Sequence, residues 1–67
     1  MKYVLIDLER TLSYKERVYW RPNKCGYTTN IEEAGLYTRS EAASIINADF
    51  NLHTFALEYN TALNFYI

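Results

Sequence analysis

Cysteine, histidine, proline and glycine are nearly missing from this 67-residue chain, which has one Cys, one His, one Pro and two Gly. The single thiol, Cys25, cannot close an internal disulfide, so the scaffold is not of the stapled kind common in small secreted domains. A reducing cytosol fits best. The single imidazole, His53, has neither a Cys pair nor a second His with which to build a metal site. Glycine-rich spacing and a Lys-Ser/Thr pair are absent, which excludes a phosphate-cradling loop between Asn23 and Gly26. Cys25 has no base near it in sequence and reads as a small turn residue. An enzyme is not expected, and no catalytic residue, metal or cofactor is assigned. No apolar run approaches the roughly 20 residues of a membrane span. The opening MKYVLIDLERT is interrupted by Asp7, too short and too charged for a signal peptide. The expectation is a soluble cytoplasmic protein without membrane association.

Tyrosine, by contrast, is abundant. There are seven Tyr, aromatics make up 16% and apolar residues 49% of the chain. A chain of this length forms one domain, residues 1–67, and buries only about 60% of the surface that its unfolded form exposes. Some rings are therefore expected at the surface, where Tyr offers an apolar face with a polar tip. A partner interface and a homo-oligomer are both open readings. The net charge of −1 hides an asymmetry. Arg10, Lys15, Arg17, Arg21 and Lys24 face only Glu16 in their segment, whereas beyond Asn30 Arg39 stands against Glu32, Glu33, Glu41, Asp49 and Glu58. Such a dipolar chain can steer a charged partner or pair head to tail with a copy of itself, or its charges are ordinary solvated ones.

Taken in order, Tyr3 to Leu8 reads as a covered strand with Val4, Ile6 and Leu8 on one face. Glu9 to Lys15 is polar and reads as a loop or wide hairpin connection. Glu16 to Arg21 reads as a half-buried strand: Val18 and Trp20 face the core, and Arg17, Tyr19 and Arg21 form a basic, aromatic face. Pro22 ends it, Asn23 to Gly26 turns the chain, and Tyr27-Thr28-Thr29 returns it as a hairpin. Asn30 to Gly35 reads as one helical turn, capped by Asn30, with Glu33 in the capping-box position and Gly35 closing it. Adjacent on a helix, Glu32 and Glu33 diverge, so they read as N-terminal charges rather than a catalytic pair.

Thr38-Arg39-Ser40-Glu41 is a capping box, after which Ala42, Ile45 and Ile46 form a stripe that predicts a helix lying on a sheet and ending at Asn47 to Asp49. Phe55, Leu57 and Tyr59 alternate with Thr54, Ala56 and Glu58 as a last strand. The tail Thr61 to Ile67 is a further strand, a short helix, or a segment ordered by a partner. Strands dominate and hairpins join them, so the fold class is α+β: a small antiparallel sheet of three to four strands with one helix packed across it.

The candidate partner-binding residues are Arg17, Tyr19, Arg21, Lys24 and Tyr27 on the hairpin, where cations and rings mix as they do in single-strand nucleic-acid binders. A pI near 5.7 argues against that class and leaves nucleic acid as the alternative partner. Tyr19-Trp20-Arg21-Pro22-Asn23, then Gly26-Tyr27-Thr28, Ile31, Ala34-Gly35, Tyr37-Thr38 and Glu41-Ala42 resembles a motif recurring in small uncharacterised proteins of bacteriophages and prophages. The likeness spans about a third of the chain and leaves both flanks unmatched. It implies a phage accessory protein in the bacterial cytoplasm that binds and blocks a host protein, such as a CRISPR effector or another defence system. It implies no catalytic residue, and the same positions are explained by strand, turn and cap alone.

Overall fold

In the computed structural model, which describes residues 1–49 and 53–64, four antiparallel strands form one sheet in the order β3-β2-β1-β4. The strands are β1 (Tyr3–Asp7), β2 (Tyr19–Trp20), β3 (Tyr27–Thr28) and β4 (Thr54–Glu58). The expected α+β architecture holds, with α2 (Arg39–Asn47) as the helix across the sheet. Two shorter helices join it, α1 (Leu8–Tyr14) and α3 (Tyr59–Asn64).

Both sheet faces are covered, and β1 lies between its neighbours with Val4, Leu5 and Ile6 all buried. Val4 and Ile6 pack with Tyr19, Ala34 and Ala62, flanked by Ile31, Leu57 and Tyr59. Leu5 points the other way and packs with Tyr37 and Ala42, flanked by Tyr3, Trp20, Ile45, Ile46 and Ala56. The stripe Ala42, Ile45, Ile46 thus meets the sheet as its spacing predicts.

The same device ends β1 and β4. Asp7 closes β1 and caps α1, its Oδ1 accepting the Arg10 amide at 3.0 Å. Glu58 closes β4 and accepts the amides of Asn60 at 3.1 Å and Thr61 at 3.0 Å, which opens α3. A carboxylate placed directly after an apolar strand satisfies the orphan donors of a helix that begins without a connecting loop. This corrects two expectations. Residues 9–15 are mostly helix rather than loop, and Leu8 leaves the Val4–Ile6 face to start α1, half exposed, while its amide still donates to the His53 carbonyl at 2.6 Å. Of the three readings of the tail, a helix holds through Asn64, and residues 65–67 lie outside the described residues.

The capping box at α2 is complete: the Thr38 amide donates to Glu41 Oε1 at 2.8 Å and the Glu41 amide to Thr38 Oγ1 at 3.2 Å. Replacing Thr38 by Ala should remove about 1 kcal/mol. Thermal unfolding followed by circular dichroism should show the midpoint falling by about 4–8 °C. Backbone hydrogen bonds, chiefly from Thr38 to Glu41 and from Asn60 to Glu58, hold both carboxyls below the usual glutamate range. Their charged forms are favoured only in the folded chain, so their contribution is complete above the unfolded value of about 4.3. It is lost as pH falls from there through the lower folded values. Urea titrations between pH 6 and pH 3 should show stability dropping, with a shallower drop in Glu41→Gln and Glu58→Gln.

Candidate functional site

The hairpin between β2 and β3 is held in one shape. Pro22 opens a 3₁₀ turn over residues 22–24, and the Cys25 amide donates to the Pro22 carbonyl at 3.2 Å. The Arg21 amide donates to the Gly26 carbonyl at 2.9 Å. Asn23 and Lys24 both take φ of 58°, and Gly26 takes 90°. Left-handed geometry at a residue such as Lys costs about 1–2 kcal/mol, so something must hold it. That is Tyr37: its hydroxyl donates to the Arg21 carbonyl and accepts the Lys24 amide at 3.2 Å. A buried residue from the following segment thereby clamps the tip of the loop.

The five hairpin residues picked from the sequence do not share a face. Tyr19 is 3% exposed and belongs to the Val4–Ile6 core, where burial pushes its phenol pKa up, partly offset by the Arg17 charge. The reason is register: Ile6 pairs with Tyr19, so the ring follows Ile6 into the core, and Trp20 takes the opposite face. Val18 is buried as well, so the strict alternation expected over Glu16 to Arg21 fails, and only Tyr19 and Trp20 form the strand. Arg17 lies beside Tyr19, its guanidinium 5.8 Å from the ring centroid, and donates to the Ala62 carbonyl at 3.3 Å.

Arg21 is tied down on the hairpin, donating from Nε to the Tyr27 carbonyl at 3.2 Å and from Nη2 to Glu33 Oε1 at 3.0 Å. Glu33 Oε1 also accepts the Thr28 hydroxyl at 3.1 Å, so Glu33 links the hairpin to the 31–33 turn rather than completing a capping box. Asn30 does cap that turn, accepting the Glu32 amide at 2.9 Å.

Lys24 and Tyr27 are brought together, at a cleft of about 480 Å³. One wall is the start of α1, with Asp7, Glu9 and Arg10; the other is the last turn of α2, with Ser44 and Ile45, continued by Asp49 and His53. Trp20 and Tyr27 meet edge to face inside it, centroids 5.7 Å apart and planes at 72°. The Arg10 guanidinium lies 3.9 Å from the Tyr27 centroid and donates to Asp7 Oδ2 at 3.1 Å. A cation over a ring at a site as exposed as this one is worth about 0.5–1 kcal/mol. His53 Nδ1 sits 3.0 Å from Glu9 Oε2, and the His53 amide donates to Asp49 Oδ2 at 3.0 Å. The Trp20 Nε1 is buried without a hydrogen-bond partner among the described residues.

Sequence reading passed over Asp7, Glu9, Arg10 and Asp49. The one available signal was Asp7 followed by Glu9 after an apolar run, which marks a helix start. In sequence His53 is a lone imidazole; the fold gives it the Glu9 carboxylate. No hydrogen bond joins the Ser44 hydroxyl to His53 among the described residues, and Cys25 is exposed outside the cleft, its Sγ 3.6 Å from the Asn23 carbonyl. Among the described residues, then, the imidazole has a carboxylate beside it but no nucleophile aligned with it. Among the described residues there is no cluster of three or more His, Cys, Asp or Glu that could hold a metal ion, and no helix is long and apolar enough to cross a membrane. Compared with protein-family models, with curated proteins and with solved structures, the chain finds no match.

Proposed function

We propose that the chain is a non-enzymatic interaction module that binds a bacterial protein through the tip of the β2–β3 hairpin and the cleft beside it. The observation that carries this reading is the Tyr37 clamp, which sets Lys24 in a left-handed conformation at the mouth of an aromatic cleft. A recognition loop already held in its bound shape avoids ordering costs of about 0.5–1.5 kcal/mol per side chain. Tyr27, 37% exposed and stiffened by Arg10 and Trp20, suits an anchor; Lys24 suits an acidic group on the partner. The resemblance of residues 19–42 to a phage and prophage motif supports a site of action in the bacterial cytoplasm and an inhibitory outcome, with a defence effector as the target class.

The alternative partner, nucleic acid, is less well supported. Asp7, Glu9 and Asp49 line the same cleft as Arg10 and Lys24, and Arg10 already covers the Tyr27 face that a base would stack on.

Affinity capture from a bacterial lysate, followed by binding measurement with the purified partner, tests the proposal. Lys24→Glu and Tyr27→Ala should each weaken binding roughly tenfold or more, as expected of anchor residues. Arg39→Gln, at the opposite end of α2 from the cleft, should leave it unchanged. A partner indifferent to both hairpin substitutions would sink the reading. Binding to oligonucleotides that falls steeply with salt would replace it by the nucleic-acid one.

A further inference from the structure

We propose that Glu33 is the positioning residue of the recognition surface: acting through Arg21 and Thr28, it sets where the Tyr27 ring stands beside the cleft, a role that rests on the function proposed above.

Tyr27 needs such help because its own strand is short. β3 has two residues, lies at the edge of the sheet and pairs with β2. The Arg21 amide donates to the Gly26 carbonyl at 2.9 Å, which makes Arg21 and Gly26 a hydrogen-bonded pair. By antiparallel alternation Trp20 and Tyr27, one step on, form a non-hydrogen-bonded pair. Their rings meet on one face, while the Tyr27 backbone turns away from β2. Its carbonyl takes a donor from a side chain instead.

That donor is Arg21 Nε, at 3.2 Å. An arginine free among its rotamers would hold the carbonyl only part of the time. Glu33 removes that freedom: its Oε1 accepts Arg21 Nη2 at 3.0 Å, and the same oxygen accepts the Thr28 hydroxyl at 3.1 Å. One carboxylate oxygen thus fastens both residues of β3. Because Nε and Nη2 belong to one planar fork, a fixed carboxylate fixes the direction in which Nε points at Tyr27. Arg10 and Trp20 bear on the ring; Glu33 sets the backbone from which it springs.

Glu33 is itself held by the 31–33 turn. Its amide donates to the Asn30 carbonyl at 3.0 Å, and two residues on the Gly35 amide donates to the Trp20 carbonyl at 2.8 Å. The Asn30 amide donates to Thr28 Oγ1 at 3.1 Å, so turn and hairpin close on each other. The tie acts on position more than on stability. Arg21 and Glu33 are 43% and 50% exposed, and pairs as open as that add little to folding.

NMR on the full chain without a partner reads the ring through the Tyr27 resonances and the cross-peaks between Tyr27 and Trp20, the one tryptophan in the sequence. Glu33→Ala should shift these resonances and weaken the cross-peaks. It should also weaken binding of the partner captured in the test above by roughly two- to tenfold, the cost of ordering one side chain on binding. The melting temperature should fall by no more than about 8 °C. Arg21→Lys keeps the charge, loses the fork and should behave in the same way. Glu33→Gln keeps an oxygen acceptor and should restore most of both readouts. Glu32→Ala removes an equal charge from the exposed neighbouring position on the same turn and should move neither.

A Glu33→Ala chain whose Tyr27 ring stands as in wild type overturns the proposal, and that measurement needs no partner. So does one in which the ring moves and binding stays unchanged, or a Glu32→Ala chain that weakens binding as much as Glu33→Ala. Each of these differs from failure of the function beneath, in which Tyr27→Ala itself leaves binding unchanged and both readings fall.

Discussion

Truncating Leu5 to Ala should remove about 2–5 kcal/mol, the range for emptying a fully buried leucine site. The chain has little to spare: at about 0.05–0.15 kcal/mol per residue, a domain of this size holds roughly 3–10 kcal/mol in all. Leu5 has no solvent exposure, sits in the middle of β1 and is enclosed by Tyr37 and Ala42 with Trp20, Ile45 and Ile46 around them. Those neighbours belong to three separate parts of the chain, β2, the segment at Tyr37 and α2, each tied in by hydrogen bonds, so they cannot all close on the space left behind. The expected result is a melting temperature lower by roughly 10–30 °C. Leu12→Ala is the control, since Leu12 is 70% exposed and should change stability by no more than about 0.5 kcal/mol. A Leu5→Ala chain that melts within a few degrees of wild type would mean that the two-sided covering of β1 is wrong.

The second large effect is expected at Gly35, where one added methyl group has nowhere to go. Its Cβ would lie 2.8 Å from the Cα and N of Pro22 and 2.8 Å from Tyr37 Cε2. Two of these three atoms are backbone, and the Gly35 amide is drawn inward by its 2.8 Å bond to the Trp20 carbonyl. Gly35→Ala should therefore cost about 1–3 kcal/mol or more through overpacking. It also pushes on the ring that clamps the hairpin, so partner binding should weaken even at temperatures where the variant stays folded. Tyr37→Phe separates the two effects. It keeps the ring, loses the hydroxyl that holds Arg21 and Lys24, and should cost about 1 kcal/mol while weakening binding. Gly26 differs in kind: its φ of 90° demands glycine, but the nearest atom to an added Cβ is Arg21 Cδ at 4.0 Å. Calorimetry on Gly35→Ala and Tyr37→Phe checks these costs, and a Gly35→Ala chain as stable as wild type would refute the close approach.

Gly35 shows why part of the site escaped the sequence. Its place after a short turn suggested a helix-closing role, yet what needs glycine there is a neighbour, Pro22, thirteen positions earlier in the chain. Arg21–Glu33, Arg10–Tyr27 and His53–Glu9 are likewise contacts between segments. No local pattern announces such pairs.

Local chemistry was enough wherever a feature depends on residues within a turn or two of one another. The Thr38–Glu41 box, the stripe of α2, the stop at Pro22, the bend through Gly26 and the existence of β4 were all legible, because caps, φ preferences and β propensity act over three to five positions. The alternation expected along Phe55, Leu57 and Tyr59 is not kept: Phe55 is exposed, Thr54 is buried and Tyr59 opens α3. Tertiary structure alone decided which side of the sheet each β2 residue faces, since that is set by pairing with β1 rather than by the apolar pattern of β2. It put Tyr19 inside and left Lys24 and Tyr27 at the cleft. The physical reason is that a two-residue strand is too short to carry a face of its own, so its longer neighbour imposes one.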